Sequence, residues 1–194
     1  PAVSFRSDSE PSAYLAPNDW LDCDSLTTWY SNVTTAGEEP CWLPGKALGS
    51  EDVNLSLNMR DKAEGKGALQ MDYSVNSQTD YLAGISPRLN DVCMPSNLDK
   101  YNIFSVLVKN PDDRAKELSL YVTYRGSLYQ AETITGGDFC TIGPKTGFTR
   151  YVFDLNSLVN CTGGEKPNKM VLNSAGLQLT VKDEKDGTLL FDGM

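Results

Sequence analysis

Along most of this chain apolar and polar side chains alternate with a period of two, the pattern of strands with one buried face. Val53-Asn-Leu-Ser-Leu-Asn-Met59 alternates, and so does Leu69-Gln-Met-Asp-Tyr-Ser-Val75. Phe104, Val106 and Val108 share one face of a third run. In a fourth, Leu118, Leu120, Val122 and Tyr124 share one face, and Ser119, Tyr121, Thr123 and Arg125 the other. Tyr151-Val-Phe-Asp-Leu155, Leu177-Gln-Leu-Thr-Val181 and Thr188-Leu-Leu-Phe-Asp192 continue the series. Turn-forming stretches separate the runs: Glu64-Gly-Lys-Gly67, Asn110-Pro-Asp-Asp113, Gly136-Gly-Asp138, Gly143-Pro-Lys145 and Lys185-Asp-Gly187. Helical periodicity is scarce, and only 97–101 and 156–159 read as helical turns. Many short strands, each with one apolar face, predict an all-β fold: two antiparallel sheets sharing one core.

The length of 194 residues suits one domain, and 40% apolar residues can fill a core. No apolar run approaches the roughly 18 residues of a membrane-spanning helix, so no membrane insertion is expected. The opening PAVSFRSDSEPSAYLAP reads as a mature or trimmed N-terminus without a signal peptide. The balance of 17 Lys and Arg against 26 Asp and Glu gives a net charge of −9, with no basic cluster. Nucleic acid and anionic membrane surfaces both need such a cluster, so the charge argues against them and for a neutral partner; a monomer is expected.

The five cysteines, Cys23, Cys41, Cys93, Cys140 and Cys161, include no CxxC, and the chain has no histidine. A zinc site is therefore not expected. Disulfides remain, and the sequence alone does not fix their pairing; near neighbours would give Cys23–Cys41 and Cys140–Cys161. Three sequons begin at Asn32, Asn54 and Asn160. With the cysteines they lean toward a secreted, extracellular protein.

The lack of histidine also excludes Ser-His-Asp and Cys-His catalysis. A jelly-roll glycosidase needs two carboxylates held across a cleft, and no ExDxxE strand is present. A jelly-roll polysaccharide lyase usually places a histidine beside a tyrosine, leaving only Tyr and Arg here for proton abstraction.

The order of motifs resembles that of carbohydrate-binding modules with a jelly-roll, galactose-binding-like β-sandwich fold. Leu21-Asp-Cys-Asp-Ser-Leu-Thr-Thr-Trp-Tyr30 resembles their opening acidic strand ending in tryptophan. Gly65-Lys-Gly-Ala-Leu-Gln-Met-Asp-Tyr73 is similar to their GKxGxALxVxY strand, and Thr79-Asp-Tyr-Leu-Ala-Gly84 to their DxYxG segment. Phe148-Thr-Arg-Tyr-Val-Phe-Asp-Leu-Asn-Ser-Leu158 and Gly187-Thr-Leu-Leu-Phe-Asp192 resemble two later strands. Cys23 departs from the pattern, as does the Pro-, Gly- and Cys-rich stretch 32–53. The resemblance implies a sandwich domain over 21–194, after an extension or edge strand over 1–20. It implies non-catalytic binding of a polysaccharide or oligosaccharide, as a module that targets an enzyme or a cell surface to a glycan. A structural or adhesive extracellular protein of the same fold, without a glycan cleft, is the alternative.

Sugar rings stack C–H faces on aromatics and present hydroxyls to planar polar groups. Tyr81, beside Asp80 and the small Ala83-Gly84 pair, fits that chemistry, and the resemblance assigns a tyrosine of this motif to the ligand cleft. Trp29 and Tyr30 must face opposite ways on a strand, and the tryptophan of the motif is the more often buried, which leaves Tyr30 as a candidate. Tyr121, Thr123 and Arg125 share a polar strand face, with Tyr129 and Gln130 just beyond the Gly126-Ser127 turn. Gln70 and Asp72 can add hydrogen bonds. Trp20 and Trp42 read as caps on the core. The resemblance further implies a structural Ca2+, held by Asp22 or Asp24, the backbone around Lys66, and Asp192.

Overall fold

A computed structural model describes Cys23 and residues 29–35, 53–74, 81–87, 97–161, 163, 165–181 and 186–194; at 29–35, 53, 81–87, 174 and 181 it describes the backbone alone. Their regular structure is all strand: β1 (Trp29–Thr35), β2 (Val53–Asn58), β3 (Ala68–Ser74), β4 (Tyr81–Pro87), β5 (Ile103–Asn110), β6 (Lys116–Tyr124), β7 (Ser127–Thr133), β8 (Cys140–Ile142), β9 (Thr146–Asn160), β10 (Ser174–Val181) and β11 (Asp186–Asp192). Each alternating run read from the sequence falls on one of these strands, apart from end residues: Met59 and Arg125 lie just past β2 and β6, and Val75 lies outside the described residues. The segment 1–20 lies outside the described residues.

All pairings are antiparallel, in the order β1-β4-β10-β6-β7-β9-β5-β11-β3-β2, and β8 pairs with β6. The 15-residue β9 folds this path into two layers. Its first part pairs with β5 and its second with β7, and Asp154 opposes Ile103 on one side and Glu132 on the other. A bulge between Gln130 and Glu132 marks the bend. Side chains satisfy the backbone there: Asn156 N donates to Asp154 Oδ1 at 2.8 Å, and Ser157 Oγ to the Asp154 carbonyl at 2.7 Å. The helical turn expected at 156–159 is this bend within a strand. The turn expected at 97–101 forms, with Tyr101 N donating to Leu98 O at 3.0 Å.

The core lies between the layers. One contributes Leu118, Leu120, Val122, Leu177 and Leu179; the other contributes Leu69, Met71, Val106, Val108, Leu189 and Phe191; Phe153, Leu155 and Leu158 come from β9. The sets from the two layers follow the predicted period of two, and on β9 the step from Leu155 to Leu158 spans the bend.

Two positions show why local sequence and fold agree. The β6–β7 hairpin turns on Arg125 (φ 50°) and Gly126 (φ 79°), the left-handed pair that a two-residue hairpin loop requires. Gly187 of β11 opposes Tyr73, and a Cβ there would occupy the space of the Tyr73 hydroxyl and of Lys116 Nζ. Those two groups form a buried polar cluster: Lys116 Nζ donates to the Tyr73 hydroxyl, pairs with Asp112 at 2.8 Å, and lies 5.0 Å from the Tyr73 ring centre.

Candidate functional site

The register assigns every strand position in the β1-β4-β10-β6-β7 layer to one of two faces. Leu118, Leu120 and Val122 oppose Leu179, Leu177 and Ala175 on the core side. The intervening positions make the outward face: Glu117 opposes Thr180, Ser119 opposes Gln178, Tyr121 opposes Gly176 and Thr123 opposes Ser174. On one flank Gln130 opposes Tyr121, and Val159 opposes Gln130. On the other flank Gly84 opposes Gln178, Asn32 opposes Gly84, and Tyr30 opposes Ser86. Because Ile85 opposes Leu177, Ser86 falls in step with Gly176. One row therefore crosses the sheet through positions 30, 86, 176, 121, 130 and 159. It has a tyrosine position on each side of a floor of serine and glycine. Three strand spacings, about 14 Å, separate those tyrosine positions.

Tyr121 is half-buried, and its neighbours hold it in place. Ser119, two positions before it on the same face, donates its hydroxyl to the Asp138 carbonyl at 3.1 Å. Gln130 Nε2 donates to the same carbonyl. Burial first, then nearby Cys161 and Asp138, push the Tyr121 phenol above its ordinary range, so it stays neutral. The arrangement offers an aromatic face bordered by amide and hydroxyl groups and flanked by carboxylates, a surface for a neutral, hydroxyl-rich ligand.

Several expected site residues lie elsewhere. Tyr129 opposes Val122, is 5% exposed, and packs in the core with its ring 6.4 Å from that of Tyr124. The hairpin reverses the chain, so Tyr129 and Tyr121 fall on opposite faces. Arg125 does not continue the polar face of β6; it occupies the turn, its N–H donates to Asn173 Oδ1 at 2.8 Å, and its guanidinium lies 5.1 Å from the Tyr124 ring centre. Thr123 keeps its position on the outward face but is 4% exposed. Tyr81 opposes Val181 in the register row whose next members, Ala83 and Ile85, oppose the core residues Leu179 and Leu177. Position 30 stands in the outward row. Asp80, Trp20 and Trp42 lie outside the described residues.

Gln70 and Asp72 belong to the outward face of the other layer. There Asn58 Nδ2 donates to Gln70 Oε1 at 2.9 Å, Gln70 Nε2 donates to Asp72 Oδ2 at 2.8 Å, and Thr188 Oγ1 donates to Asp72 Oδ1 at 2.6 Å. They cannot join Tyr121 in one site.

Cys140 and Cys161 are free thiols, and the bridge expected between them is not formed. Cys140 opposes Leu118 and packs against the core, whereas Cys161 lies by Tyr121 on the other face of the sheet. Burial pushes the Cys140 thiol up to about 11. Cys41 and Cys93 lie outside the described residues.

Of the residues expected to hold calcium, Asp22 and Asp24 lie outside the described residues. The Lys66 carbonyl accepts from Lys62 Nζ at 2.8 Å. Asp192 is 3% exposed; its Oδ2 accepts from the Ala63 and Glu64 amides at 2.7 and 3.0 Å, and its Oδ1 from the Gly193 amide at 2.9 Å. Glu64, which the sequence did not single out, reaches back against Gly193 and leaves its buried Oε1 without a hydrogen-bond partner. Glu64 and Asp192 thus bring two carboxylates to one turn, but the Lys66 carbonyl is taken by an ammonium, and among the described residues no group of three or more His, Cys, Asp or Glu gathers for a cation.

No family model matches the sequence, and neither does any curated protein. Solved structures do match. A family 11 carbohydrate-binding module of a cellulosomal cellulase of Clostridium thermocellum superposes with a TM-score of 0.52 at 13% identity, over 90% of each chain. The fold is that of the β-sandwich carbohydrate-binding modules. A family 11 module of the same organism, in complex with a β-1,3-1,4-mixed-linked tetrasaccharide, gives 0.53 at 13% identity over 89% of each chain. The C-terminal family 22 module of Clostridium thermocellum Xyn10B gives 0.51 at 14% identity, over 89% of this chain and 88% of that one.

Proposed function

We propose that this chain is a non-catalytic module that binds a neutral polysaccharide or oligosaccharide across the outward face of the β1-β4-β10-β6-β7 layer. The observation that carries this reading is the row from position 30 through Ser86 and Gly176 to Tyr121 and Gln130. Tyr121 and Gln130 stand at one end of that row and a tyrosine position at the other, with small residues between, an order in which a sugar ring can stack on an aromatic while its hydroxyls meet an amide. The sandwich fold shared with glycan-binding modules supports it, and the mixed-linked β-glucan fragment held by one of them makes that polymer the first to try. The net charge of −9 disfavours acidic glycans. Tyr30, Tyr121 and Gln130 form the working set; Tyr81 and Asp80 are left out of it, Tyr81 because its register row is the core row. Affinity electrophoresis against β-glucan, mannan, xylan, pectin and alginate tests the reading: retardation by a neutral polymer supports it, and free migration in all of them refutes it.

The same reading makes the chain an extracellular monomer, consistent with its three sequons, of which Asn54 is exposed on β2 at the end of the pairing path. A structural Ca2+ belongs to it too, with Glu64 and Asp192 as its carboxylates. The ion would tie the β2–β3 turn to the end of β11 and take no part in chemistry.

A further inference from the structure

Phe139 ends the β7–β8 connection and is 46% exposed. Cys140 packs against the core opposite Leu118, and the buried Ile142 follows two residues on. Alternation therefore sets Thr141 on the outward side, opposite Glu117, and Phe139 in step with Ser119. Tyr121 is then a diagonal neighbour of Phe139, about 7–8 Å away, a spacing that aromatic side chains reach across. Gln130, opposite Tyr121, adjoins both: its Nε2 donates to the carbonyl of Asp138, the residue before Phe139. Val159, 56% exposed, stands on the far side of Gln130. The backbone that carries the phenyl ring is held in place. The Asp138 carbonyl accepts from Ser119 Oγ at 3.1 Å as well as from Gln130. The loop before it is closed by Gly136 N on Thr133 O and by Thr133 N on Gly137 O, both at 2.9 Å, with Gly136 at φ 78° and Gly137 at φ 118°. A single exposed apolar residue is ordinary. This one is tied through its own peptide to two side chains of the proposed binding face, and a ring so fixed loses little freedom when a ligand covers it.

We propose that Phe139 is a second stacking platform, set diagonally to Tyr121, so that the site takes consecutive sugar units of a glycan chain, one on each ring. This rests on the reading of the face as a glycan site. A phenyl has no donor or acceptor, so it meets only the C–H face of a sugar ring. Polar selection falls to the Gln130 amide, which adjoins both rings. Affinity then rises with the length of the glycan until both platforms are covered. The exposed ring adds little to the fold, so its removal is felt in binding and not in stability.

Isothermal titration of the whole chain tests this with the oligosaccharides of mixed-linked β-1,3-1,4-glucan, from disaccharide to hexasaccharide, or with those of the neutral polymer that retards wild type most strongly. Wild type is compared with Phe139→Ala, Phe139→Leu and Phe139→Trp, and all four proteins are melted. The expected result is a Phe139→Ala protein that binds the hexasaccharide about tenfold more weakly and the shortest oligosaccharide bound by wild type within about twofold. Phe139→Trp matches or exceeds wild type, whereas Phe139→Leu falls with the alanine variant, because stacking needs an aromatic face. Equal binding of the hexasaccharide by wild type and Phe139→Ala overturns the inference while leaving the Tyr121 face intact. A loss of equal size at every length overturns it too, since one sugar unit then covers both rings. Full affinity in Phe139→Leu overturns it by showing plain apolar contact in place of stacking. A Phe139→Ala protein melting more than about 3 °C lower shows a ring packed into the fold, and overturns it as well. Wild type that binds no neutral glycan in the electrophoretic panel removes the underlying reading instead.

Discussion

Tyr121 and Gln130 oppose each other across the β6–β7 ladder, one strand from the bend that turns β9 into the second layer. The peptide at Asp138 borders them: its carbonyl accepts from Gln130 Nε2 and from the hydroxyl of Ser119, two positions before Tyr121 on the same face. The β7–β8 connection thus fixes the orientation of the Gln130 amide beside Tyr121. A site held by its own scaffold loses little entropy when a ligand arrives.

The hairpin geometry separates residues that the sequence groups together. Arg125→Ala leaves glycan affinity within about twofold, because its guanidinium lies over Tyr124 and away from Tyr121. Gln130→Ala weakens binding by about tenfold, the loss of about 1.4 kcal/mol. Titration of both variants with the polymer that retards wild type checks the pair; equal losses would return Arg125 to the site.

The thiols report on the same face. Cys161 is exposed and near Tyr121, whereas Cys140 packs against the core and burial pushes it up to about 11. Burial raises Cys161 as well, so both thiols gain reactivity as pH climbs from 7 toward 9. At pH 8 iodoacetamide labels Cys161 before Cys140, and saturating glycan slows labelling of Cys161 alone. Peptide mass mapping over time gives both rates; protection of Cys140 rather than Cys161 would place the ligand elsewhere.

Gly187 is a structural control. Gly187→Ala sets a methyl where the Tyr73 hydroxyl and Lys116 Nζ now stand, and costs about 1–3 kcal/mol in urea unfolding. An unchanged midpoint would mean that the buried Lys116–Tyr73 pair is loosely held.

Calcium, if it seats at Glu64 and Asp192, stabilises the folded state by mass action. Millimolar CaCl2 raises the melting temperature of wild type, EDTA lowers it, and Glu64→Gln removes the difference. A melting temperature indifferent to both, in wild type, excludes the ion.

Much of the fold was legible because period-two alternation fixes which side chains of a strand share a face, whatever its partners are. Leu118, Leu120 and Val122 were assigned to the core on that ground, and they are buried. The site was less legible because a face is assembled from several strands, and their order is not written in any one of them. Gln178 stood on the polar side of an alternating run from the start, but only the pairing of β10 between β4 and β6 sets it beside Ser119 and Gly84. Tyr129 departs from the expected face for the complementary reason: residues beyond a two-residue hairpin take their face from the register of the return strand. Glu64 had no sequence signal, being part of a turn whose packing against Gly193 depends on the last strand.

The central claim is tested most directly by titrating wild type and Tyr121→Ala with mixed-linked β-1,3-1,4-glucan, or with the neutral polymer that retards wild type most strongly, and melting both proteins. Loss of about 30-fold or more in affinity, near 2 kcal/mol, with a cooperative melt retained, is the predicted result. Undiminished affinity in a folded Tyr121→Ala protein would contradict it, and would move the glycan off this face.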